Sequence, residues 1–156
     1  MGGPRTRMLS VSPTLFLLPF AVPNRLDFQI MNTAARVRRA VEARDTGAQK
    51  SDKLRMWAKR DRAGATRAGV LAERERWARY SEWPVPQLTE EQIRLHIRQL
   101  KARAARRSKA ADVWTARHAS ADADIRAVVR TASPEVLAGL LGRADEQVRL
   151  AVIASL

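Results

Sequence analysis

Residues 98–109 read RQLKARAARRSK. Six of these twelve positions are cations: Arg98, Lys101, Arg103, Arg106, Arg107 and Lys109. No acid occurs between Glu91 and Asp112. Most charge runs are only the solvated face of a helix. This one lacks compensating acids, so its repulsion is relieved best by a polyanion. The chemistry such residues support is phosphate binding. A guanidinium takes two phosphate oxygens at once through a planar fork. Each neutralised phosphate also releases condensed counterions. A second, smaller group, Arg36, Arg38 and Arg39, repeats the pattern in residues 36–44. Neither stretch contains anything that specifies a base. The expected contact is with nucleic-acid backbone and tolerates any sequence.

Other chemistries have less to stand on. The chain has no cysteine, which removes thiolate metal sites, disulfides and cysteine catalysis. His96 and His118 each lack a second ligand three or four residues away, so no metal site is expected. There is no phosphate-cradling GxxxxGK[ST] and no GxGxxG. The scattered Ser and Asp residues form no recognisable triad motif. The expectation is a protein without catalysis, metal or cofactor.

The charge has a geography. The formal net charge is +13 over 156 residues. Residues 31–87 carry fourteen cations and seven acids, and residues 88–120 carry eight and three. Residues 121–156 carry four and five. An excess this large points to a polyanionic partner, with nucleic acid first and an anionic membrane surface behind it.

The elements that must position these cations are helical. Ala is abundant between charges, and aromatics are only 5%. Thr89 followed by Gln92 is a capping box, and Glu90 and Glu91 suit the positive end of a helix dipole. The spacing predicts a basic amphipathic helix over 88–120. Ile93, Ile97, Leu100, Ala104 and Ala111 share one arc, its buried face. Upstream, residues 31–87 form a basic helical region. Its parts are a helix over 32–45 capped by Asn32 or Thr33, a TGAQKS linker, and one or two helices over 51–80 capped by Ser51 or Asp52. Gly64 and Gly69 mark either a break or a close helix approach, and WPVPQ at 83–87 stops helix formation. Trp57, Trp77, Trp83 and Trp114 are expected to anchor the core rather than to stack on bases.

Residues 1–30 form an atypical segment. Two arginines precede an uncharged run from Met8 to Asn24, as in a signal peptide, but Pro13 and Pro19 interrupt it. Ala and Arg become frequent only after Met31, which is an alternative start. An Arg-rich chain without cysteine is expected in the cytoplasm.

Residues 121–156 contain an internal echo. ADADIRAVVR and ADEQVRLAVI match at an offset of 23, with Ile125 on Val148, Arg126 on Arg149 and Val129 on Val152. Between them Ser133 is a cap with Pro134 in the first turn, Gly142 closes that helix, and Asp145 caps the last. This segment resembles the helical repeats of HEAT-like and leucine-rich-variant proteins. The matching residues are Asp122, Ile125, Arg126, Val128 and Val129; Ser133, Pro134, Glu135, Leu137, Ala138 and Leu140; and Asp145, Val148, Arg149, Ala151 and Val152. The resemblance implies a helical pair that binds protein, with Leu150 and Ile153 as the partner contacts. Fewer than two full units are clear, so the pair needs other apolar surface, and the Ile93–Ala111 stripe is the expected supplier. LAGLLGRADEQVRLAV also resembles a bacterial helix-turn-helix, but Asp145 and Glu146 would face phosphate in its reading helix.

The fold expected is all-α, a small helical bundle ending in a HEAT-like pair. The function expected is sequence-tolerant nucleic-acid binding by an accessory or regulatory protein, with a bacterial mobile element as one setting. A protein-binding adaptor is the alternative, and a membrane-associated basic protein comes after it.

Overall fold

A computed structural model describes residues 24–156. Among them are five helices and no strand: α1 (Arg25–Gly64), α2 (Arg67–Tyr80), α3 (Glu90–Thr131), α4 (Pro134–Arg143) and α5 (Glu146–Ile153). Each start has a local cause. Asn24 has extended backbone and accepts the Asp27 N–H at 2.8 Å, opening α1. Thr66 accepts from Gly69 N at 3.0 Å and opens α2. Of the two readings of Gly64 and Gly69, a break or a close helix approach, the break is present. A Cβ on Gly69 would lie 2.6 Å from the Gly64 carbonyl oxygen, so the tight turn requires glycine there. Thr89 and Gln92 form the expected capping box of α3. Ser133 with Pro134 opens α4, and Asp145 accepts from Val148 N at 2.9 Å to open α5.

The two long helices, α1 and α3, pack antiparallel along most of their length. Gly47 lies beside Trp114 and His118, Ser51 beside Thr115, Asp61 beside Arg103 and Arg107, and Gly64 nearest Leu100. The seam has a seven-residue period. In α3 the buried and half-buried positions include 93, 97, 100, 104, 107, 111, 114, 118, 121, 125 and 128, spaced alternately four and three. In α1 and its C-cap, Ile30, Val37, Ser51, Ala58 and Ala65 are buried in one heptad register, with Arg44 half-buried between them. That spacing keeps one stripe of each helix facing the other over forty residues.

The seam changes character along its length. At one end Ile30, Val37 and Val41 of α1 meet Ile125, Val128 and Val129 of α3. Val136 and Leu140 of α4 and Val148, Ala151 and Val152 of α5 complete that core. Toward the other end the seam thins to Ser51, Ala58, Asp61, Ala104 and Ala111. Small side chains there let the helices approach closely. A Cβ on Gly47 would lie 3.1 Å from the Trp114 carbonyl oxygen and 3.1 Å from the His118 amide nitrogen.

Several expectations are corrected by this packing. Residues TGAQKS are helical, because Gly47 fits the close approach that any larger residue would crowd. Ser51 and Asp52 cap nothing; Ser51 is buried and shares a hydrogen bond of 2.8 Å with Thr115. Asn32 and Thr33 lie inside α1, and Ile30 belongs to the core, so the boundary drawn at residue 30 cuts a helix. The helix expected to end near 120 runs on to Thr131, because the heptad pattern continues through Ala121, Ile125 and Val128. The α4–α5 pair is covered by the apolar ends of α1 and α3, not by the Ile93–Ala111 stripe. Gly142 closes nothing, since α4 runs to Arg143 and no glycine has a positive φ among the described residues. His118 lies within α3, with Nδ1 3.0 Å from the Arg44 carbonyl oxygen.

The echo at offset 23 has a simple origin. Ile125 and Val148 occupy equivalent phases of two helices that enter the same core, as do Val129 and Val152. No described helix is long and apolar enough to cross a membrane. The apolar run from Met8 falls almost entirely outside the described residues.

Candidate nucleic-acid interface

The thin half of the hairpin is also the charged half. Residues 50–64 of α1 and 94–109 of α3 overlap in part, with 61–64 beside 100–107 while Ser51 and Arg55 lie beside Thr115, and the two stretches carry thirteen cations against two acids, Asp52 and Asp61. Their net charge of +11 equals that of all described residues together. The remainder of the described chain is neutral on balance. Lys50, Lys53, Arg55, Lys59, Arg60 and Arg62 supply the α1 side. Arg94, Arg98, Lys101, Arg103, Arg106, Arg107 and Lys109 supply the α3 side, and of the thirteen only Arg107 is not exposed. At 1.5 Å per residue the α1 side is about 22 Å long, over which a duplex presents about thirteen phosphates.

One carboxylate organises this half from within. Asp61 is buried, its side chain 5% exposed. Arg103 Nη2 donates to it at 2.9 Å and Arg107 Nη1 at 2.7 Å. Among the described residues these are the two of the thirteen cations that reach a carboxylate. Arg103 and Arg107 therefore hold the register between α1 and α3, and their forks are occupied. Arg98, Lys101, Arg106 and Lys109 stay exposed and face no acid at ion-pair distance. The α1 cations are the part that sequence reasoning missed. Their signal was the seven-residue period, which brings 61–64 beside 100–107.

Arg36, Arg38 and Arg39 are not brought to this surface. They lie in the other half of α1, about 30 Å away along the helix. Arg38 is engaged by Asp145, the cap of α5. That carboxyl is held below the usual range by the Val148 N–H first and by Arg38 next. Arg39 lines an open groove with Glu42, Trp114, Arg117 and Asp124, whose two acids balance its two arginines.

The tryptophans divide into two pairs. Trp57 is half-buried, with Lys53 Nζ 4.9 Å and the Arg107 guanidinium 5.2 Å from its ring centre. Trp114 has Lys50 Nζ at 4.1 Å and the Arg117 guanidinium at 4.6 Å. Cations over these rings hold basic side chains along the seam. Trp77 and Trp83 anchor no core: they are 66% and 79% exposed, beside a Tyr80 that is 82% exposed. Only Val70 of α2 is buried, so the helix has too little packed face to bury them.

At the opposite end Leu150 and Ile153 are exposed and line a shallow groove with Leu141, Glu146 and Arg149. His96 is exposed on α3, and no cluster of metal-ligating side chains occurs among the described residues. No family model, curated protein or solved structure matches the chain.

Proposed function

We propose that this chain is a non-enzymatic accessory protein that binds nucleic acid through the phosphate backbone, without reading base sequence. The observation that carries this reading is the concentration of thirteen cations and two acids in residues 50–64 and 94–109 of the α1–α3 hairpin. Eleven of those cations have no carboxylate at ion-pair distance among the described residues, and they come from two adjacent antiparallel helices. Phosphate would be bound by Arg98, Lys101, Arg106 and Lys109 from α3 and by Lys59, Arg60 and Arg62 from α1. Arg103 and Arg107 support them by fixing the helix pair on Asp61. The test is the affinity for two duplexes of unrelated sequence across salt. The expected result is equal affinity for both, weakening by about a thousandfold between ~50 and ~200 mM salt. Absence of binding at ~50 mM would sink the proposal.

A second reading, a protein-binding adaptor, is favoured by the exposed Leu150 and Ile153 on α5 and by the HEAT-like pattern of the tail. It expects a partner whose capture is lost on Leu150→Glu and unaffected by Arg106→Ala.

A further inference from the structure

We propose that Trp77, Tyr80 and Trp83 form a stacking platform for unpaired bases, which makes single-stranded nucleic acid the preferred ligand. This rests on the phosphate-binding reading and extends it. Three large aromatics fall within seven residues, and each is at least two-thirds exposed, at 66%, 82% and 79%. Trp77 and Tyr80 lie three apart on α2 and so share a face. Trp83 follows in the loop and is held there by Ser81. The Ser81 hydroxyl donates to the Trp83 carbonyl at 2.9 Å and accepts the Trp83 N–H at 3.2 Å. Every residue from Glu75 to Pro84 is exposed, so this end of α2 has no packing role among the described residues.

Its place selects the occupant. The turn that opens α2 follows directly on the basic end of α1, and Arg67 at its start pairs with Glu90 at the start of α3. The start of α2 thus adjoins the basic hairpin at the end where residues 60–62 and 94–98 lie, and Trp77 and Tyr80 follow about 15 and 20 Å further along the same helix. Its own charges, Arg74, Arg76 and Arg79 against Glu73, Glu75 and Glu82, cancel. The patch therefore has no charge with which to draw phosphate and offers uncharged ring faces on a helix that starts at a surface with charge in excess. A single strand matches that juxtaposition: phosphates along the hairpin, base faces on the rings. A duplex keeps its base faces covered by neighbouring pairs and gains nothing from the rings.

The test compares a thymidine 20-mer with a 20-base-pair duplex at one salt concentration, by anisotropy of an end label. The native protein is expected to bind the single strand more tightly, with quenching of tryptophan emission. Trp77→Ala/Tyr80→Ala/Trp83→Ala is expected to lose single-strand affinity by about tenfold or more and to keep duplex affinity within about twofold. Trp77→Phe/Tyr80→Phe/Trp83→Phe is expected to retain most of the single-strand affinity. Unchanged single-strand binding by the alanine variant overturns the platform while leaving the phosphate reading in place. Failure of both ligands to bind at ~50 mM salt overturns the phosphate reading and the platform with it. A dimer in sedimentation that the alanine variant converts to monomer, with single-strand affinity unchanged, assigns the rings to a second copy of the chain and overturns the platform.

Discussion

The two ends of one helical hairpin do different jobs. Where α1 and α3 meet α4 and α5, the seam is Ile, Val and Leu, and charges are paired: Arg38 with Asp145, Arg143 with Asp27, Arg126 with Asp122. Where they continue alone, the seam is mostly Ala, Ser and Asp, and every cation of the thirteen but Arg103 and Arg107 lacks a carboxylate partner among the described residues. Stability and charge are thus separated along a single pair of helices. Mutual repulsion among thirteen cations costs folding free energy. The apolar end offsets that cost without needing to be near it, because the helices are continuous. Small seam residues keep the charged half narrow, so long Arg and Lys stems project outward from both helices.

The largest expected effect breaks the apolar end. Leu140 is fully buried, and Leu140→Ala is expected to destabilise by about 2–5 kcal/mol in denaturant unfolding. Ala104→Gly, in the thin seam, is expected to cost about 1 kcal/mol, chiefly as helix propensity. Equal costs would show that the two halves do not differ in this way.

A smaller effect sharpens the contrast, because stability and binding move in opposite directions. Asp61→Ala removes the only buried acid of the charged half. It is expected to cost about 2 kcal/mol, less than breaking a fully buried ion pair, because the side chains of Arg103 and Arg107 are 52% and 30% exposed and can reach water. The same change releases two guanidinium forks, so the salt slope for duplex binding should steepen by up to about two contacts. Loss of both stability and binding would instead assign Asp61 a purely structural role.

How far the sequence exposed this arrangement depended on the kind of signal. Caps were legible, because Thr89 with Gln92, Ser133 with Pro134, and Asp145 act within one turn. Gly64 and Gly69 marked the place of the break but not the choice between a break and a close helix approach. The seam was not. Its heptad positions hold Arg44, Ser51, Asp61, Arg107, Trp114 and His118, residue types that a hydrophobic pattern passes over. Gly47 looked like a linker residue because its reason, the backbone of α3, is about seventy positions away. The basic stretch 98–109 was visible alone, but its companion 50–64 depends on the antiparallel pairing. Exposure of Trp77 and Trp83 was hidden because composition alone favours burial of tryptophan.

The smallest effect comes from pH and again divides the ends. Asp145 has a folded pKa below its unfolded value, owing to the Val148 N–H and then Arg38. Its contribution is present above the unfolded value near 4 and is lost as pH falls from there through the folded value. Amide protection in α5 should therefore drop below about pH 4 while the arginines of the other half stay charged. Asp145→Asn should flatten that pH dependence; an unchanged profile would show that the cap and its ion pair do not stabilise α5.

The most direct test of the central claim is the slope of log affinity against log salt for a random-sequence duplex, measured on three proteins. Arg98→Ala/Lys101→Ala/Arg106→Ala is expected to reduce the native slope by about 3, and Arg36→Ala/Arg39→Ala to leave it unchanged. Equal reductions in the two variants, or no binding by the native protein at ~50 mM salt, would contradict the assignment of phosphate binding to the charged half of the hairpin.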